Sequence, residues 1–261
     1  KKYDANDIYA ALEYAGVENS ETVMMDSSPI TLGRFNGADA AREIISAIKD
    51  FLGEKGTLVV PAFNFDFCKG KPFDRQKTPS KNMGVLSETL RLLPDSKRSF
   101  HPMQSVAANG NLADDICQRD TPSAFAVGGS FDRLLELNAK LLLFGANFNA
   151  ASFFHYAEEK LQVPYRFFKT FSGEYIDSRV AETRVYQMYV RDLDLNPQLD
   201  LRNLEKRLEN VGKLRRVKLG MGEIITCDFS DIFKTACEML EEDALIFLKN
   251  RDEVAEKLTR R

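Results

Sequence analysis

Two kinds of hydrophobic pattern divide this chain. In its first part, short unbroken apolar runs alternate with stretches of helical spacing. Thr22–Met25, Leu58–Val60 and Leu141–Phe144 are such runs, each ended by a turn former or a small polar group. Runs of this length with no polar alternation read as strands covered on both faces. Between the first two, Ala41, Ile44, Ile45, Ile48 and Leu52 recur on one face of a helix expected over residues 37–52, closed by Gly53. Strand, helix, strand predicts a right-handed parallel βαβ unit. Further helices are expected at 4–14 behind Asp4 or Asn6 as cap, at 83–93 before Pro94, and at 111–117, 132–137 and 153–159.

Beyond Val163 the period changes to two. Segments 166–170, 174–176 and 184–193 alternate in the manner of antiparallel strands, with Gly173 as the expected hairpin turn. The last ends in Asp192 and Asp194, two carboxylates on one face. A helix at 201–208, a basic hairpin-like stretch at 213–219, a helix at 230–240 and a strand-like run at 243–248 complete the chain. No repeat or low-complexity linker interrupts it. The pattern predicts one α/β domain over residues 1–261, a mixed sheet flanked by helices with an antiparallel portion in the second half.

Composition narrows the function. A net charge of -3 over 261 residues implies no basic face and argues against a nucleic-acid partner. Four cysteines without a CxxC pair fit a reduced, cytoplasmic protein and give no pattern for a metal site. No apolar run approaches a membrane span. The start at Lys1 rather than methionine points to missing N-terminal sequence.

The candidate chemistry gathers around residues 141–159, LLLFGANFNAASFFHYAEE. His155, one of two histidines, follows a strand-to-helix turn, the edge of an open α/β sheet where ligands bind. Glu158 stands three residues on and so on the same side. Imidazole, with a usual pKa of about 6.5, suits proton transfer near neutral pH. His101 is held out of helix by Pro102. Ser27 and Ser28 follow the first strand, and Asp66 lies between Phe65 and Phe67 at the head of a long loop carrying Lys69, Lys71, Arg75, Lys77 and Lys81.

The blocks GTLVVPAF (56–63), PFD (72–74), MGVLSE (83–88), RSFHPMQSVAANG (98–110), RLLELNAKLLLFG (133–145), FFHYAEE (153–159), VPY (163–165) and DALIFL (243–248) occur in the order found in aminoglycoside 3-N-acetyltransferases. The chain resembles that family over nearly its whole length. The resemblance implies the antibiotic N-acetyltransferase fold, acetyl-CoA as acyl donor and no metal. His155 falls on the family's catalytic histidine, and Asp192, shifted by one residue, on its acidic partner. Asp66, Asp194, Glu158 and His101 are then expected around the acceptor, and Ser27, Ser28, Ser105 and Ser152 around CoA. The resemblance is incomplete: Asp26 stands where the family has histidine before the serine pair, and Phe148 and Ala151 replace the histidine and asparagine of its glycine-rich loop.

These residues predict an acetyl-CoA-dependent N-acetyltransferase acting on an aminosugar by direct attack on the thioester. A carboxylate of Asp192, or failing that Asp194, is expected within hydrogen-bond reach of His155, with Asp66 and Glu158 the next candidates. The bases of the 69–81 loop favour a nucleotide-linked aminosugar over an aminoglycoside, and homodimerisation is left open. The rival readings are a non-catalytic acyl-CoA-binding module and a serine hydrolase using Ser152 or Ser105, for which no G-x-S-x-G elbow is present.

Overall fold

The computed structural model describes residues 2–261. The chain opens with strand β1 (Lys2–Tyr3), helix α1 (Ala5–Tyr14) and strand β2 (Thr22–Ser27). Asp4 starts α1 by accepting the N–H groups of Asn6 and Asp7, while Asp7 accepts that of Asp4. Strand β3 (Arg34–Phe35), helix α2 (Ala40–Leu52) and strand β4 (Thr57–Pro61) follow. Helix α2 begins at Ala40 rather than at residue 37 because Asp39 caps it through the Arg42 N–H.

Next come β5 (Phe73–Asp74), α3 (Val85–Arg91), β6 (Lys97–Arg98), β7 (Val106–Gly110), α4 (Ala113–Cys117) and α5 (Ser130–Glu136). They lead to β8 (Lys140–Phe144) and α6 (Phe154–Lys160). A long hairpin, β9 (Arg166–Asp177) and β10 (Val180–Arg191), precedes α7 (Arg202–Asn210). Strands β11 (Leu214–Leu219) and β12 (Gly222–Asp228) and helices α8 (Phe229–Glu242) and α9 (Arg251–Thr259) end the chain.

The central sheet has seven strands in the order β11-β12-β8-β2-β4-β7-β6. Strand β2 runs parallel to both neighbours, β4 and β8, and the remaining pairs are antiparallel. The α/β class and mixed sheet are as the pattern predicts, although antiparallel pairing also occurs in the first half, at β4–β7–β6. The residues of β2, β4 and β8 are buried on both faces, which is why their sequences are nearly continuous apolar runs. No helix among the described residues is long and apolar enough to cross a membrane.

Two expectations fail here. Gly173 is not a turn but lies inside β9, opposite Arg184. A Cβ at that position would stand 2.9 Å from the Phe67 ring, so the glycine lets the strand cross an aromatic side chain. The hairpin turns instead at Ser178 and Arg179, both at positive φ (50° and 70°), the twist that joins adjacent antiparallel strands. Residues 243–248 form successive turns and one bridge, Leu199 to Leu248, rather than a strand. A short apolar run does not by its period separate a strand from buried coil.

Candidate active site

Because β2 and β8 are parallel neighbours, both deliver their C-terminal ends to one edge of the sheet. Gly145 ends β8 at φ 72°, where a Cβ would meet Thr31 Oγ1 at 2.5 Å and the Ser28 carbonyl at 2.6 Å. The chain is thereby turned into the 146–153 loop. Asp26, on β2, anchors this loop: Ser152 Oγ donates to Oδ1 at 2.6 Å and the Ser152 N–H approaches Oδ2 at 3.4 Å. Burial pushes the Asp26 carboxyl up to about 7 even against the two Ser152 bonds. Three residues after this anchor, the first turn of α6 presents His155.

The His155 side chain is 30% exposed, whereas that of Glu158, one turn along α6, is fully buried. His155 Nδ1 lies 2.5 Å from Glu158 Oε2, and Arg166 Nε lies 2.9 Å from the same oxygen. Burial opposes the charge on Glu158, but His155, Arg166 and the neighbouring Tyr165 hydroxyl outweigh it and hold its pKa below the usual carboxyl value. An ionised Glu158 can only accept, so His155 donates Nδ1–H and carries its lone pair on Nε2. No hydrogen bond to Nε2 occurs among the described residues. The edge of Phe125, with ring centroids 6.0 Å apart, packs against the imidazole.

His155 borders a cleft of about 1470 Å³. One wall is the β9–β10 hairpin, on which Phe167, Lys169 and Phe171 share a face by their two-residue spacing, with Val190 and Met188 directly opposite the first two. Phe65, Gln104 and Phe125 stand on other parts of the lining.

The structure places the other sequence candidates differently. Asp192 and Asp194 border the cleft, but neither hydrogen-bonds His155. Arg261 holds Asp192 at 2.5 and 3.3 Å and lies 3.7 Å from Asp194. The carboxylate on His155 is therefore Glu158, whose position in the same helix requires no long-range pairing. Strand β10 ends at Arg191, so the two aspartates lie on a turn, where Asp192 Oδ1 accepts the Asp194 N–H.

Asp66 does not line the cleft. Lys81, at 2.5 Å, and Lys71, at 3.3 Å, bind its carboxylate. His101 is sealed under the hairpin, 4% exposed, with both nitrogens engaged: Nδ1 accepts the Gln104 N–H at 3.0 Å and Nε2–H donates to the Gln187 carbonyl at 2.9 Å. It has no free atom for a substrate. Ser105 is buried, and its hydroxyl is committed within the chain, donating to the Ala62 carbonyl and accepting from Arg98 Nε. Ser27 ends β2 and Ser28 follows it at the same sheet edge, and neither borders the large cleft. Ser152 turns its hydroxyl to Asp26.

Arg166, Tyr165, Gln104 and Lys169 escaped the sequence reading. Arg166 and Tyr165 directly precede or open an alternating strand, where arginine and tyrosine read as ordinary strand residues. Glu158 was within reach of the i,i+3 rule as the partner of His155 and not merely as a substrate contact.

The model of the aminoglycoside 3-N-acetyltransferase family matches residues 24–241. Among curated proteins, the chain is similar to aminoglycoside N(3)-acetyltransferase IV of Salmonella, 34% identical over 129 residues. That match covers 49% of this chain and 48% of the relative, so the chain spans about half the length of that protein. A type III enzyme from Salmonella is 25% identical over 264 residues, covering 90% of each chain. Of solved structures, the binary complex of AAC-IIIb with CoASH superposes with a TM-score of 0.80 at 20% identity, over 93% of this chain and 97% of that one. That likeness is one of fold.

Proposed function

The chain belongs to the aminoglycoside 3-N-acetyltransferase family, and we propose that it acts as one acyltransferase domain, moving acetyl from acetyl-CoA to the amine of an aminosugar. The observation that carries the reading is His155, held through Nδ1 by a buried, ionised Glu158 and left with an unengaged Nε2 beside a large cleft. The cleft volume of about 1470 Å³ exceeds the 300–1,000 Å³ of ordinary small-molecule sites, which suits two substrates side by side. The CoA complex of AAC-IIIb, a protein of the same fold, supports the choice of donor.

An ammonium group cannot attack a thioester. His155 Nε2 takes a proton from the acceptor, and the freed amine adds to the thioester carbonyl. As the C–S bond breaks, the imidazolium returns its proton to the departing CoA thiolate, and the remaining excess proton on the nitrogen passes to solvent. Glu158 stabilises the imidazolium formed on the way and fixes the tautomer that begins it. An aminoglycoside and a nucleotide-linked aminosugar both present such an amine.

The test is release of CoA thiol from acetyl-CoA with aminosugar acceptors, compared between the unmodified protein and His155→Gln. The substitution should lower kcat by roughly 10²–10⁴-fold, the range for a lost general base, with the Kd for acetyl-CoA unchanged. A folded variant that keeps its turnover would remove His155 from the role. Acetyl-CoA binding by the unmodified protein without thiol release would favour the acyl-CoA-binding module.

A further inference from the structure

The charge of the cleft says more about the acceptor. Its lining includes five cationic residues, Lys69, Arg166, Lys169, Arg191 and Arg261, against three carboxylates, Glu158, Asp192 and Asp194. Each of those carboxylates already has a cation of the chain beside it: Glu158 has Arg166, and the two aspartates share Arg261. Asp66, outside the lining, is likewise matched by Lys71 and Lys81. Lys69, Lys169 and Arg191, in contrast, form no ion pair among the described residues. A polycationic acceptor would enter a cleft with an excess of positive charge and no unmatched carboxylate.

Two of these cations stand on segments packed against each other: Lys69 ends the helical turn Phe67–Lys69, which lies against β9, the strand that carries Lys169. Gln104 adds a separate observation. It is 8% exposed, borders the cleft, and its Oε1 is buried without a hydrogen-bond partner. That oxygen is closed off from the cleft, whereas Nε2 forms no hydrogen bond among the described residues and is the donor that the amide offers to a ligand, an anionic group above all. The rings of Phe65 and Phe171 beside these polar groups provide apolar surface for a sugar face.

We propose that the acceptor carries an anionic group, phosphate or carboxylate, in addition to its amine, and that Lys69, Lys169 and Gln104 form the subsite that recognises it. Lys69 and Lys169 neutralise the anion, and Gln104 Nε2 donates a hydrogen bond to it. The proposal rests on the cleft being the acetyl-transfer site. Among the five basic residues of the 69–81 loop only Lys69 borders the cleft; Lys71, Arg75, Lys77 and Lys81 face carboxylates of the chain.

Thiol release is measured with three acceptors: D-glucosamine, D-glucosamine 6-phosphate, which presents the same amine with an added dianion, and gentamicin as a polycation. The phosphorylated sugar should exceed glucosamine in kcat/KM by about tenfold or more, an ordinary size for electrostatic attraction into a charged cleft, and gentamicin should be the poorest. The double variant Lys69→Glu with Lys169→Glu should abolish or invert the preference for the phosphorylated sugar, with the KM for acetyl-CoA unchanged. Gln104→Leu should raise the KM for the phosphorylated sugar more than that for glucosamine. A preference for gentamicin overturns the proposal and leaves acetyl transfer standing. So does a charge-reversed variant whose main change is a higher KM for acetyl-CoA, which would give the lysines to the CoA phosphates. Binding of acetyl-CoA with no thiol release for any acceptor sinks the acetyl-transfer reading itself.

Discussion

The two histidines of this chain stand in regions that treat the same side chain in opposite ways. Under the hairpin, His101 is 4% exposed, and backbone groups of Gln104 and Gln187 take both of its nitrogens. Burial drives its pKa down to about 4 despite the Gln187 bond, so it remains neutral and serves as a bracket between loop and hairpin. At the mouth of the sheet, His155 has one nitrogen held by Glu158 and the other unengaged. The difference teaches that a base is recognised by incomplete satisfaction. A ring with both nitrogens bonded can stabilise a fold, whereas proton transfer needs one nitrogen fixed and one open.

The largest effect that sharpens this contrast is expected at the orienting acid. Glu158→Gln keeps the side-chain shape but removes the charge that stabilises imidazolium. It should lower kcat by roughly 10²-fold or more, with acetyl-CoA affinity intact. Asp192→Asn, which weakens the Arg261 ion pair and the bond from the Asp194 N–H but touches no atom of His155, should leave kcat within about threefold. Thiol-release kinetics on the two variants checks both, and the reverse order would return the role to Asp192.

A smaller effect, on stability rather than rate, is expected at the other histidine. His101→Ala should cost roughly 1–3 kcal/mol by leaving buried backbone partners unsatisfied, with kcat little changed. Its pH dependence has a definite sign. The native ring, lowered to about 4, does not bind the proton that an unfolded histidine binds below about 6.5. The unmodified protein should therefore lose stability from this site as pH falls from about 6.5 to 4, and the variant should lack that part of the slope. Urea denaturation at a series of pH values reads both quantities; equal slopes would show that His101 is not buried in neutral form.

Much of the central sheet was legible because burial on both faces writes continuous apolar runs into β2, β4 and β8. Where local signal misled, the cause was physical. Gly173 reads as a turn, yet glycine was needed to clear Phe67, while the true turn uses Ser178 and Arg179, which carry no strong turn signature. At the site, His155 and Glu158 are neighbours on one helix, and their spacing announces the contact. The engagement of Asp192 by Arg261 joins residues 69 apart, and that of Asp66 by Lys81 crosses a loop. No periodicity records such pairings, so carboxylates that look available for a cationic substrate turn out to be matched within the chain. His101 could not be separated from His155 by sequence because its two acceptor and donor groups are backbone atoms, one of them on β10.

The most direct test of the central claim is the protonation site of each imidazole. With only two histidines in the chain, selective ¹⁵N-histidine labelling gives two rings, assigned through the His101→Ala variant. At about pH 8, above the usual imidazole pKa of about 6.5, the nitrogen shifts and couplings distinguish the two neutral tautomers. The account predicts opposite ones: His155 protonated on Nδ1 with a bare Nε2, and His101 protonated on Nε2 with Nδ1 accepting the Gln104 N–H. A His155 ring protonated on Nε2, with its lone pair on Nδ1, would contradict the pairing with an ionised Glu158 and the assignment of Nε2 as the base.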